Sequence, residues 1–192
     1  AYADTLVGDD NGNTLSGDLS DDILYGEGGS DILIGENGND TLIGGSGANN
    51  LYGDDGFDTV SYTDALSVNM SLRGIGYGTG TAIYNVAGTL TSSDKLYAIE
   101  NVVGSAGNDT IQGNAGNNTL DGGAGNNTLS FSGATTAITV NLSTATAYDT
   151  GDGTDKIINF QNIIGSDLAD NLTGEANTNI IKAGQGNDKI FG

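Results

Sequence analysis

A nine-residue period runs through most of this chain and limits what it can fold into more than any other feature. The nine residues from Gly26 read Gly-Glu-Gly-Gly-Ser-Asp-Ile-Leu-Ile, and the nine from Gly35 read Gly-Glu-Asn-Gly-Asn-Asp-Thr-Leu-Ile. In each unit glycine is concentrated in the first positions, the sixth residue is Asp or Asn, and the eighth is aliphatic. The eighth positions recur at steps of nine within three blocks: Leu6, Leu15, Leu24, Leu33, Leu42, Leu51 and Val60; Ile111, Leu120 and Leu129; Leu172, Ile181 and Ile190.

Each unit predicts a tight turn followed by a short strand. Glycine lets the backbone take the positive φ angles that a tight turn needs. Positions seven to nine then form a strand whose middle side chain points one way while its neighbours point the other. Because a three-residue strand is not stable alone, each is expected to pair in parallel with the strand eighteen residues later. The pattern therefore predicts an all-β fold, a parallel β-roll with two nonapeptides per turn and an aliphatic ladder between two thin sheets.

Such a roll needs a ligand that binds only the folded form. One aliphatic side chain per nine residues buries too little surface to offset the entropy lost on ordering those residues. The chain also has 25 acidic against 5 basic residues and no His or Cys. Stacked carboxylates beside loop carbonyls form an all-oxygen cage, which suits several calcium ions rather than softer metals. The candidate metal ligands are the sixth-position residues Asp4, Asn13, Asp22, Asp31, Asp40, Asn49, Asp58, Asp109, Asn118, Asn127, Asp170, Asn179 and Asp188.

The two edges of the first block differ in charge. Successive units alternate sides, so sixth positions eighteen residues apart share an edge. The two edges carry, respectively, Asp4, Asp22, Asp40 and Asp58, and Asn13, Asp31 and Asn49. Each neighbouring pair on the first edge has two carboxylates, whereas each pair on the second has one. Since ligand charge tunes calcium affinity, the first edge is predicted to bind calcium more tightly.

These units resemble the RTX nonapeptide Gly-Gly-x-Gly-x-Asp-x-U-x, in which U is aliphatic. The resemblance covers residues 1–61, 99–130 and 162–192. It implies a calcium-loaded parallel β-roll of the kind found in adhesins, toxins, proteases and polysaccharide-modifying enzymes that leave the cell by type I secretion. It therefore implies a secreted protein, extracellular or at the cell surface, whose module folds on calcium binding outside the cell.

Two inserts interrupt the period, at residues 62–98 and 131–161. They are related, since Asp94-Lys95-Leu96 and the following residues run parallel to Asp155-Lys156-Ile157. Their alternating apolar runs indicate longer strands. Because Val102 lies nine before Ile111 and Ile163 nine before Leu172, the inserts are interpreted as wider coils of one continuous solenoid. The Gly/Thr/Ser-rich stretches 74–93 and 143–154 are expected to loop out.

Composition argues against several classes of function. A formal charge of -20 repels nucleic acid and anionic membranes, and no apolar run approaches membrane-spanning length. Without His or Cys the usual hydrolytic triads are excluded, so the chain is expected not to be an enzyme, with any catalysis elsewhere in the parent protein. The sequence starts and ends inside a repeat, which predicts neighbouring domains of a longer chain.

The alternative reading is a polysaccharide-binding module like those attached to alginate epimerases. Positions seven and nine face outward and several are apolar or aromatic, and an exposed Tyr can stack on sugars. The partner would then be an extracellular polysaccharide or a surface glycan. The competing explanation is ordinary β-propensity, or packing against an insert. An ice-binding face is disfavoured because position seven does not carry a regular Thr column. The outward residues are Ile23, Tyr25, Ile32, Ile34, Ile43 and Tyr52.

Overall fold

The computed structural model describes residues 2–73, 79–85, 91–149 and 153–192. Two long sheets face each other, and within the nonapeptide blocks their strands pair in parallel with partners eighteen residues apart. Leu6, Leu24 and Leu42 align in one sheet, and Leu33 aligns with Leu51 in the other. The predicted parallel β-roll with two nonapeptides per turn is therefore confirmed.

Most strands of the nonapeptide blocks have three residues, because each is centred on one aliphatic side chain. Sheet A contains, in spatial order, β1 (Thr5–Val7), β3 (Ile23–Tyr25), β6 (Thr41–Ile43), β9 (Thr59–Ser61), β13 (Asn101–Val103), β15 (Thr119–Asp121), β19 (Gly153–Ile158), β18 (Thr146–Asp149), β17 (Ile138–Asn141), β21 (Asn171–Thr173) and β23 (Lys189–Phe191). Sheet B contains β2 (Thr14–Ser16), β5 (Ile32–Asn37), β8 (Asn50–Asp55), β12 (Thr91–Tyr97), β11 (Thr79–Asn85), β10 (Ser67–Ser71), β14 (Thr110–Gln112), β16 (Thr128–Ser130), β20 (Asn162–Ile164) and β22 (Ile181–Lys182). A small third sheet joins β4 (Gly28–Gly29) to β7 (Ser46–Gly47), and one 3-10 turn spans Leu142–Thr144.

The core is a single file of side chains between the two sheets. Leu24, Leu33, Leu42 and Leu51 are all 0% exposed. The residues that flank them point outward, as Ile32 does at 37% exposed. A core this narrow leaves the loops at both edges without apolar support, so their polar atoms must be satisfied in another way.

The first insert adds three strands to sheet B. Strand β10 pairs antiparallel with β11, and β11 antiparallel with β12. The outer two strands continue the ladder in parallel, with Leu96 beside Leu51 and Met70 beside Ile111. In sheet A, meanwhile, Val102 lies between Val60 and Leu120, which is the register that its spacing predicts.

The second insert repeats this arrangement in the opposite sheet. Strands β17, β18 and β19 are antiparallel to one another within sheet A. Ile157 continues the ladder beside Leu120, and Val140 beside Leu172. Four nonapeptide strands, β13 to β16, separate the two inserts and alternate between the sheets, so the duplicated segment meets sheet A the second time.

The expectation that the polar centres of the inserts loop out is wrong for most of the described residues. Residues 79–85, 91–93, 146–149 and 153–154 are sheet strands, and residues 143–145 form a turn. Antiparallel pairing satisfies their backbone amides and carbonyls on both sides, which outweighs the weak strand propensity of Gly and Ser. The remainder of these stretches, residues 74–78, 86–90 and 150–152, lies outside the described residues.

Each insert returns to the ladder through a three-residue loop instead of the usual six. These loops are residues 98–100, between β12 and β13, and 159–161, between β19 and β20. Ala98 and Asn159 take left-handed φ angles of 48° and 59°, which turns the chain quickly. Ile99 and Phe160 then point inward and are buried. A side chain therefore fills the space that a glycine-rich loop would otherwise enclose.

Candidate metal centre

The sixth-position side chains form continuous columns along the edges of the roll. On the first edge, Asp22 Oδ1 accepts the backbone N–H of Asp4 at 2.7 Å, and Asp40 Oδ1 accepts that of Asp22 at 2.7 Å. Asp58 Oδ1 accepts the N–H of Asp40 at 2.8 Å. One oxygen of each carboxylate is thus used to lock neighbouring turns in register, and the residues eighteen apart stack as the sequence predicts.

The opposite edge is built in the same way and continues into the first insert. Asp31 Oδ1 accepts the Asn13 N–H at 2.8 Å, and Asn49 Oδ1 accepts the Asp31 N–H at 2.9 Å. The next member of this column is Asp94, whose Oδ1 accepts the Asn49 N–H at 3.0 Å. Its other oxygen accepts the Tyr62 hydroxyl at 3.0 Å.

Four members of these columns were missed by the nonapeptide pattern because they belong to the inserts or their short loops. Glu100 extends the first edge, since its Oε2 accepts the Asp58 N–H at 2.9 Å. Asp155 and Gln161 accept the N–H groups of Asn118 and Asn127 in the second half. The sequence does contain a signal for these four residues, because each of them, like Asp94 before Leu96, stands two positions before a ladder residue.

The second oxygen of four aspartates has no hydrogen bond. Among the described residues, Oδ2 is buried and without a hydrogen-bond partner in Asp22, Asp31, Asp40 and Asp58. Each of these oxygens faces a first-position glycine and the carbonyl oxygen of the next turn. A methyl group added to Gly26, for example, would lie 2.6 Å from Asp31 Oδ2 and 2.6 Å from the Gly44 carbonyl oxygen. Two acceptors facing one small space cannot bond each other, so the arrangement fits a cation of calcium's oxygen preference.

Burial makes these carboxylates costly to keep charged without a cation. It raises the pKa of Asp58 to about 6, and the nearby charges of Glu100, Asp40 and Asp54 raise it further against a backbone hydrogen bond that lowers it. Burial likewise raises the pKa of Asp31, Asp40 and Glu100. A bound cation would remove this penalty, because opposite charge favours the ionised form.

Where asparagine replaces aspartate, its amide donates a hydrogen bond to a nearby oxygen. Asn118 Nδ2 donates to the Glu100 carbonyl at 2.8 Å, and Asn179 Nδ2 donates to the Gln161 carbonyl at 2.8 Å. Asn127 Nδ2 donates to the Asn159 carbonyl at 3.0 Å. Asn13 Nδ2 instead donates to the Asp9 carboxylate at 3.2 Å. The Asn127 bond lies where the aspartate loops present only acceptors, because it reaches the first-position carbonyl of the next turn. Asn118 and Asn179 instead bond the turn eighteen residues earlier, and their Oδ1 atoms face Gly113 and Gly174.

Two aspartates after the inserts are satisfied by a serine at the second loop position. Asp109 Oδ2 accepts the Ser105 N–H at 2.6 Å, and its Oδ1 accepts the Ser105 hydroxyl at 2.6 Å. Asp170 accepts the same two bonds from Ser166, at 2.7 and 2.8 Å. Asp188, half-buried at the last turn, accepts the Asp170 N–H at 2.9 Å. The unsatisfied carboxylates are therefore concentrated in the first block.

None of the unbonded aspartate oxygens is surrounded by carboxylates alone. In the part of the chain that the structure describes, no group of three or more Asp, Glu, His or Cys residues gathers in one place. A cation here would combine one or two carboxylates with backbone carbonyls, as the loops present them. Within the same described ranges, no helix has the length and apolar character needed to cross a membrane.

Comparison with known families agrees with this geometry. The RTX calcium-binding nonapeptide repeat matches the chain four times, at residues 1–33, 25–60, 97–129 and 164–192. The matches cover more than half of the sequence and leave out most of both inserts. No curated protein matches the sequence.

Proposed function

The chain belongs to the RTX calcium-binding nonapeptide repeat family, and from that premise we propose that it is a module of a larger secreted or cell-surface protein that folds when it meets calcium outside the cell. The calcium-binding β-roll itself follows from the family and the sheet topology. The observation that carries the proposal is the set of buried Oδ2 atoms without donors in Asp22, Asp31, Asp40 and Asp58. These atoms make the fold costly until a cation reaches them.

Calcium concentration would then decide where the chain folds. Extracellular calcium modules bind with dissociation constants of roughly 10⁻⁴–10⁻³ M, far above the calcium level of a cytosol. Several sites filled together still contribute several kcal/mol by mass action, because the unfolded chain lacks them. The chain would stay extended during export and fold after it.

Circular dichroism tests this directly. In chelator the spectrum is expected to show little β-structure, which returns on titration with calcium but hardly with magnesium, since magnesium dehydrates reluctantly. A complete β spectrum in chelator contradicts the proposal. Magnesium serves as the matched control, because it has the same charge and differs in size and hydration.

We propose no catalytic role for this chain. Its core-facing carboxylates Asp22, Asp40 and Asp58 are committed to the edge columns through their Oδ1 atoms. It has neither His nor Cys to act as a base or nucleophile. Hydrolysis of model esters or glycosides by the purified chain, lost on mutation of a column aspartate, would overturn this part of the proposal.

One observation favours glycan binding as a second function. A groove of about 390 Å³ lies over the outer face of sheet A, where Tyr25 stands near Thr41, Thr63 and Asp64. An aromatic ring beside hydroxyl and carboxylate groups is a usual sugar contact. Tyr52, by contrast, stacks on Tyr97 of the first insert at 4.4 Å, so one face of its ring is covered.

Glycan-array binding with Tyr25→Ala beside Tyr52→Ala as a control separates the two possibilities. Glycan binding that is lost only in Tyr25→Ala supports the second function. If the folded, calcium-loaded chain binds no glycan, the module acts as a calcium-folded spacer alone.

A further inference from the structure

Two junctions in the roll share one backbone arrangement but differ in their side chains. At each, a six-residue nonapeptide loop stacks on the three-residue loop that leaves an insert. At the first junction the Glu100 and Asn101 N–H groups donate to the Asp58 carbonyl at 3.2 and 2.8 Å. At the second, the corresponding Gln161 and Asn162 N–H groups donate to the Asn127 carbonyl at 3.1 and 3.0 Å.

The side chain of the short loop also reaches back in the same way at both junctions. Glu100 Oε2 accepts the Asp58 N–H at 2.9 Å, and Gln161 Oε1 accepts the Asn127 N–H at 2.7 Å. A longer side chain than Asp stands at this position in both inserts. The two junctions are therefore a matched pair, one with two carboxylates and one with two amides.

The amide junction is closed by its own hydrogen bonds. Asn127 Nδ2 donates to the Asn159 carbonyl across the junction and to the Ala124 carbonyl in its own loop, each at 3.0 Å. A methyl group added to Gly122 would lie 2.7 Å from that nitrogen and 2.7 Å from the Asn159 oxygen, so donor and acceptor face one space. No charge needs compensation there.

The carboxylate junction has the same geometry without the donor. Asp58 is 0% exposed, and among the described residues its Oδ2 has no hydrogen-bond partner. A methyl group added to Gly53 would lie 2.5 Å from this oxygen and closer still to the carbonyl oxygen of Ala98. Two acceptors thus meet beside a second carboxylate, that of Glu100, where the other junction places a donated N–H. A divalent cation satisfies all three groups at once.

We propose that the first junction is a calcium site formed by Asp58, Glu100 and the Ala98 carbonyl, and that the second junction closes without metal. The site joins a nonapeptide loop to an insert and so lies between two structural units. Calcium would fix the first insert to the N-terminal block, whereas in the folded chain the second insert is attached by the Asn127 hydrogen bonds without a metal ion. The inference rests on the proposed function only in taking calcium as the cation.

Counting bound calcium by equilibrium dialysis of the full chain tests this assignment. Glu100→Gln gives the first junction the glutamine that Gln161 provides at the second. This variant is expected to bind one calcium ion fewer than the unmodified chain. Gln161→Glu is the control and is expected to bind the same number, because Asn127 still occupies that position. An unchanged count for Glu100→Gln, or an additional ion in Gln161→Glu, overturns the inference.

Amide hydrogen exchange gives a second, independent measurement, made in enough trimethylamine N-oxide to keep the chain folded without calcium. In the unmodified chain the slowing of Asn101 amide exchange on adding calcium is expected to exceed that of Asn162, and Glu100→Gln is expected to remove the difference. Equal calcium dependence at the two amides contradicts the inference. If the unmodified chain binds no calcium at all, the proposed function itself is wrong. If the chain binds calcium but Glu100→Gln changes neither the calcium count nor the exchange rates, only the assignment of the junction site is wrong.

Discussion

Replacing Asp40 with Asn is expected to stabilise the calcium-free fold although it removes a calcium ligand. Asp40 Oδ1 would go on accepting the Asp22 N–H, which lies at 2.7 Å. The new Nδ2 would take the place of Oδ2, which faces the Gly53 carbonyl oxygen across Gly35. The acceptor pair would become a hydrogen bond of the kind that Asn127 makes to the Asn159 carbonyl.

The size of the effect follows from the atom that is relieved. A buried polar group without a partner costs about 1–3 kcal/mol. Burial also raises the pKa of Asp40, so keeping it ionised at neutral pH adds to that cost. We therefore expect Asp40→Asn to stabilise the calcium-free fold by about 1–3 kcal/mol and to reduce the further stability that saturating calcium provides.

The assay is folding in chelator driven by trimethylamine N-oxide, which strengthens burial without supplying a cation. Asp40→Asn should fold at a lower osmolyte concentration than the unmodified chain. Asp109→Asn is the matched control with the opposite sign, because both oxygens of Asp109 already accept hydrogen bonds from Ser105. In Asp109→Asn the new amide N–H would face the Ser105 N–H, which is also a donor. The variant should therefore need a higher osmolyte concentration to fold. If both variants shift the midpoint in the same direction, the unbonded Oδ2 of Asp40 is not what makes the calcium-free fold costly.

Three other changes test separate parts of the account. Burial raises the pKa of Asp58 to about 6 in the calcium-free fold, above its ordinary value of about 3.9, so between these pH values the folded chain binds a proton that the unfolded chain does not. The calcium-free fold should therefore gain on the order of 3 kcal/mol in stability as the pH falls from 7 to 4, which would be measured as a falling osmolyte midpoint. Calcium binding should weaken below pH 6. Leu42→Ala, at a fully buried position, should cost about 2–5 kcal/mol in urea denaturation with calcium present, and an effect below 1 kcal/mol would contradict a rigid ladder. Tyr62→Phe removes the hydroxyl that donates to Asp94 and should cost about 1 kcal/mol in the same assay.

The repeat predicts the register of the roll almost completely. Once Leu24 is placed beside Leu42, eighteen residues apart, every nonapeptide strand follows, and the spacing also places Val102 beside Leu120. The strands of the inserts were harder to predict because Gly, Ser and Thr carry little strand signal. Their pairing depends on neighbours that the turns bring together, such as Leu96 beside Leu51.

The candidate site was predictable in position but not in chemistry. The sixth-position rule locates Asp22 and Asn118 equally well, yet one has an unsatisfied buried oxygen and the other donates to a carbonyl. An ionised carboxylate has no N–H to donate, whichever carbonyl it faces. The carbonyl that an asparagine bonds is not set by the rule either, since Asn127 donates to the next turn and Asn118 to the preceding one. Asp109 differs again, because Ser105 two residues into its loop supplies both donors. Glu100 escaped the pattern because its loop is three residues shorter and needs a longer side chain to reach the column.

Anomalous scattering from crystals grown in calcium would locate the ions. We expect ions bonded to the Oδ2 atoms of Asp22, Asp31, Asp40 and Asp58, each also bonded to a carbonyl of the next turn, with Asn118, Asn127 and Asn179 still donating to their carbonyls. Ions bound at the asparagine loops, with those four aspartate oxygens left without a metal bond, would contradict this expectation.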